Sequence, residues 1–126
     1  MYHKLVRDAG GDPDNEQSGI SVVNAICGHF EPGEESFPYM ICAFKNGRCK
    51  TEGYKIVQIP KTTWTIFRSE EADNPGTNIP QLFQRAYSEW LPSSGYDKAS
   101  GPDMEIYYMI NNKKYYEEVW IPVVKK

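Results

Sequence analysis

Apolar residues dominate Asp103-Met104-Glu105-Ile106-Tyr107-Tyr108-Met109-Ile110, a short run behind a Gly101-Pro102 turn with Glu105 in its middle. Such a run predicts a strand. A strand's alternation sets Glu105, Tyr107 and Met109 on one face and Met104, Ile106, Tyr108 and Ile110 on the other. Both faces are mostly apolar, so both are expected to be covered. One stretch follows a helical period: Ile79, Leu82, Phe83, Ala86, Tyr87, Trp90 and Leu91 predict a helix from Asn78 to Leu91. Asn78 is its expected cap, Pro80 fits the first turn, Gln81 would complete a capping box, and Pro92 is the stop.

Elsewhere the pattern predicts the last turns of a helix over residues 1–9 and a loop over 10–15. Strands are predicted over Ile20–Phe30, Phe37–Lys45, Tyr54–Ile59, Thr62–Arg68 and Glu117–Val124. Turns fall at Glu31–Glu34, Asn46-Gly47, Asp73–Gly76, Pro92–Tyr96 and Asn111–Lys114. The second half therefore reads strand, helix, strand, strand, and the first half helix remnant, strand, strand. This order predicts an α+β fold made of a duplicated β-α-β-β unit, the first copy truncated.

The 126 residues suffice for one domain, taken as 1–126 with residues 1–19 the least defined segment. A net charge of −3 disfavours nonspecific nucleic-acid binding, which needs clustered basic residues. No apolar run has the length of a membrane span and no signal peptide opens the chain, so a cytoplasmic protein is expected. Cys27, Cys42 and Cys49 have no C-x-x-C spacing, and His3 and His29 are isolated; neither a metal nor another cofactor is expected. Aromatics are abundant at 13%, and aromatic rings line pockets for flat or cationic ligands as well as filling cores. Glu105 then becomes the candidate of interest. No Lys or Arg lies in its strand, so a distant residue or a visiting cation must neutralise it if it is buried. Glu117 and Glu118 read as a charge pair at a strand edge.

Ile59-Pro60 with Thr63–Phe67, the helix end Tyr87–Tyr96, Gly101–Tyr107 and Glu118-Val119-Trp120-Ile121-Pro122-Val123 occur in order. Over roughly residues 37–124 the chain resembles the GyrI-like small-molecule-binding family, which includes effector-binding domains of AraC-type and MerR-type multidrug regulators. The resemblance implies a duplicated SHS2-like module with a curved antiparallel sheet and a ligand groove between the halves. It implies that Glu105 meets a cationic ligand, that Tyr107 shares its face, and that Trp120 is a pocket aromatic, with Tyr39, Trp64, Phe83 and Trp90 as further wall residues. The chain has no helix-turn-helix segment, so direct DNA binding is not expected.

The function that follows is capture of a hydrophobic, cationic small molecule. Two alternatives stand beside it. One is a hydrolase of strained electrophiles in which Glu105 and Tyr107 do the chemistry. The other is an interaction module acting on DNA gyrase or on a transcription regulator. A truncated first unit would expose a sheet edge and apolar side chains such as Ile20, Val22 and Ile26, so a homodimer is expected.

Overall fold

Strand β6 (Asp103–Ile110) runs through the middle of one antiparallel sheet, between β2 (Asn24–Cys27) and β7 (Lys114–Lys125). The computed structural model describes residues 4, 7–9, 19–20, 24–27, 39–45, 49–110 and 114–126, with backbone only at 19–20. Beyond β2 comes β3 (Tyr39–Cys42), and beyond β7 comes β4 (Thr63–Arg68), giving the order β3-β2-β6-β7-β4. Two short strands pair off this path: β1 (Gly19–Ile20) with β6, and β5 (Tyr96–Lys98) with β7. One helical run crosses the sheet. It begins as α1 (Ile79–Arg85), widens into a π-helix at Ala86–Trp90, and closes as α2 (Leu91–Ser93). Among the described residues no helix is long and apolar enough to cross a membrane.

Both faces of the sheet are covered, as the alternation predicts. On one face Val119, Ile121 and Val123 pack against Ile79 and Ala86, with Leu82, Phe83, Trp90 and Leu91 closing over them. On the other, Ile26, Met104 and Ile106 pack with Met40, Val57, Ile59, Trp64, Tyr108 and Trp120. Ile106 is fully buried, and its truncation to Ala would cost about 2–5 kcal/mol.

Between β1 and β2 the ladder against β6 slips. Ile20 and Ala25 are five positions apart, while their partners Tyr108 and Glu105 are three apart. The side chain of Asn24 fills the gap, its Oδ1 accepting the Tyr107 N–H at 2.9 Å. The buried Asn24 thereby satisfies its amide oxygen and the Tyr107 N–H together.

Several expectations change. The predicted Ile20–Phe30 strand is present as β1 and β2, and Phe37–Lys45 as β3; residues 21–23, 28–38, 46–48 and 111–113 lie outside the described residues, as does most of the predicted opening helix. Tyr54–Ile59 is not a strand: Val57 and Ile59 do turn inward, but no neighbouring strand pairs with them among the described residues. Tyr96, read as the end of a loop, instead opens the strand Tyr96–Lys98, because β7 runs on past β6 and offers it a partner. No side-chain cap bond forms at Asn78, whose amide instead donates to the Glu70 carbonyl at 3.3 Å. Ile26 is buried and cannot belong to an exposed patch, while Ile20 and Val22 have no described side chains. Glu117 and Glu118 are both buried.

Candidate functional site

Glu105 is only 5% exposed and sits on the helix-covered face. The register sets it beside Ala25 on β2 and Val119 on β7. Two hydroxyls converge on its Oε1: Tyr107 donates at 2.6 Å and Tyr39, from the end strand β3, at 3.0 Å. Burial pushes both tyrosine pKa values up, and the Glu105 charge adds to it, so near neutral pH both remain protonated and donate. Among the described residues no Lys, Arg or His pairs with Glu105.

A second carboxylate shares this face. Asp103 is 3% exposed and two residues back along β6. Its Oδ2 accepts the Tyr87 hydroxyl at 2.5 Å, and among the described residues its Oδ1 has no hydrogen-bond donor. Lys98 Nζ forms an ion pair with Oδ1 at 3.7 Å and donates hydrogen bonds to the carbonyls of Ala99 and Gly101. Burial holds the Asp103 carboxyl above its ordinary range, only partly opposed by Tyr87 and Lys98. Cys27 completes the row, opposite Asp103 on one side and Tyr39 on the other. Burial, with the charges of Glu105 and Asp103, pushes its thiol up to about 12, so it is a packed thiol and not a nucleophile.

The opposite face carries a different constellation. Glu118 accepts from Arg68 at 2.7 and 2.9 Å, from Tyr108 at 2.8 Å and from Trp120 Nε1 at 3.1 Å. Burial raises this carboxyl, but the bonds from Arg68, Tyr108 and Trp120 outweigh it and hold Glu118 below its ordinary value. Trp64 packs on Trp120 with ring centroids 6.1 Å apart, and the Arg68 guanidinium stands 4.9 Å from the centre of the Tyr116 ring. This carboxylate already has its cation.

The expected site residues thus separate. Glu105, Tyr107 and Tyr39 come together. Trp120 and Trp64 are on the other side of the sheet, because Trp120 is in register with Met104 and not with Glu105. Phe83 and Trp90 belong to the packing of the helix on β7 and β4, Trp90 standing edge-on to Phe67 at 5.4 Å. Asp103, Tyr87 and Cys27 were missed, although Asp103 has the same alternation phase as Glu105 and could have been read from it. A hollow of about 260 Å³ lies apart from both carboxylates, between β3 and residues 49–56, lined by Met40, Cys42, Phe44, Cys49, Tyr54 and Ile56 among others. Among the described residues no group of His, Cys, Asp and Glu is placed to hold a metal.

The family model for the GyrI-like small molecule binding domain matches residues 15–124, most of the chain. No curated protein matches it.

Proposed function

The chain belongs to the GyrI-like family of small-molecule-binding domains, and from that premise we propose that its ligand is a hydrophobic cation neutralised by Glu105. One observation carries the reading: Glu105 is a buried carboxylate whose described partners are hydroxyls, whereas Glu118 on the other face is already paired with Arg68. A carboxylate solvated only by hydroxyls gains most from a cation that arrives with a ligand. Tyr107 and the 57%-exposed Tyr39 add aromatic faces, each cation–π contact contributing roughly 0.5–2 kcal/mol. Glu105→Gln keeps the shape and removes the charge, so it should weaken a lipophilic cation such as rhodamine 6G by about tenfold or more in equilibrium dialysis. Equal affinity of the two proteins would sink the reading.

The 2.6 Å contact between Tyr107 and Glu105 supports a second reading, hydrolysis of a strained electrophile. Glu105 would act as the base and Tyr107 would orient the substrate. Turnover of a test epoxide by the wild type and not by Glu105→Gln separates this from binding alone. A homodimer is also kept as a proposal. Its support is now Tyr39 and Ile41, both largely exposed on the end strand β3, in place of Ile26. A mass near 14.5 kDa by light scattering refutes it.

A further inference from the structure

The carboxylate of Asp103 is better placed than its sequence suggests. It is 97% buried on the Glu105 face, yet among the described residues Oδ1 takes no hydrogen bond and has only the Lys98 ammonium at 3.7 Å. Buried acceptors are nearly always satisfied, so an open one points to a group that arrives later. We propose that Asp103 is a second recognition point of this site, its Oδ1 accepting a hydrogen bond from an uncharged hydroxyl or N–H of the ligand while the ligand's cation is held at Glu105. The proposal rests on the reading of Glu105 given above and narrows its ligand class.

Three features fix the chemistry of the second group. First, Asp103 and Glu105 are two residues apart on one strand face, which separates the two side chains by about 7 Å. Second, the positive charge at Asp103 is already supplied. Lys98 stands 3.7 Å from Oδ1, so a second ligand cation there would meet an ammonium, whereas a neutral donor would not. Lys98 is held at that distance by its hydrogen bonds to the carbonyls of Ala99 and Gly101. Third, Oδ2 is taken by the hydroxyl of Tyr87, itself 37% exposed, so the carboxylate lies one side chain beneath solvent. The ligand class is therefore an amine or related cation bearing a hydroxyl or amide N–H about 7 Å from its charged nitrogen.

Calorimetric titration of three amines tests this: tyramine, its O-methyl ether, and 2-phenylethylamine. All carry the same cation, and only tyramine has a donor at the far end. Wild type should bind tyramine about tenfold more tightly than either of the others. In Asp103→Asn, Tyr87 claims the amide oxygen and turns the NH₂ toward the ligand, where hydroxyl and ether accept alike. Tyramine and its ether should then bind within about twofold of each other. Glu105→Gln should weaken all three and preserve the ratio. If wild type binds tyramine and the ether equally while Glu105→Gln weakens both, Asp103 is served by water, and this proposal is overturned with Glu105 untouched. If no amine binds, or Glu105→Gln changes none of them, the reading of Glu105 falls and takes this one with it. Should Asp103→Asn fail to fold, the ratio on wild type still decides.

Discussion

At the scale of single residues, two acids on one strand face meet different fates. Glu105 is solvated by tyrosines, while Asp103 keeps one oxygen open and its proton longer than usual. A raised carboxyl pKa means the folded chain retains a proton that the unfolded chain has lost above the ordinary value of 3.8. The resulting contribution to stability is complete below 3.8 and is lost as pH rises through the folded value. Asp103→Asn escapes that loss, so its urea midpoint should exceed that of wild type at pH 7, and the gap should shrink as pH falls toward 3.8. An unchanged gap across that range would mean that Asp103 is charged without penalty. Glu105 was legible because it stands amid apolar residues. Asp103 was not singled out because a strand's first residue after Gly101-Pro102 reads as turn chemistry, and only the packing of Tyr87 and Cys27 buries it.

At the scale of elements, Glu117 fastens the loop before α1 to the sheet. It is fully buried, accepts from Ser69 Oγ at 2.9 Å and from the backbone N–H of Gly76, and exchanges backbone contacts with Ser69. Gly76 has a φ of 81°, a left-handed turn that a side chain would strain, and its open Cα faces the Tyr107 ring. Glu117→Ala leaves two half-buried donors without that acceptor and removes a buried side chain, and should cost about 2 kcal/mol by urea unfolding, with faster hydrogen exchange at the Gly76 amide. Glu117→Gln, which keeps an oxygen there, should cost about half as much. Alternation with Val119, Ile121 and Val123 already placed Glu117 on the buried face, but a Glu is so seldom buried that its charge argued for an edge. The helix was legible over most of its length because its apolar period repeats across two turns and more. Its widening at Ala86–Trp90 was not, since the spacing of apolar residues does not tell a π-turn from an α-turn; in the structure Tyr87 of that turn bonds Asp103 and Trp90 packs on Phe67. Strand β5 has only three residues and no period to read; β7 creates it.

At the scale of the whole molecule, the sheet divides the described carboxylates between two faces, Glu105 and Asp103 on one and Glu118 on the other. Trp120→Ala should therefore destabilise the fold by about 3 kcal/mol, through the lost Trp64 contact and the lost donor to Glu118, and leave cation affinity at Glu105 nearly unchanged. A large loss of affinity in a protein of unaltered stability would show that the faces communicate. The tryptophans are divided in the same way. Trp64 and Trp120 lie 6.1 Å apart and tilted by 56° on the face of Glu118, while Trp90 stacks on Tyr96 beneath the helix. The molecule consequently carries two separate optical channels. The close tryptophan pair couples its electronic transitions and should give an exciton couplet in far-ultraviolet circular dichroism that Trp64→Phe abolishes. The emission of Trp90 belongs to the Glu105 face, so a ligand bound there should shift it while the couplet stays as it was.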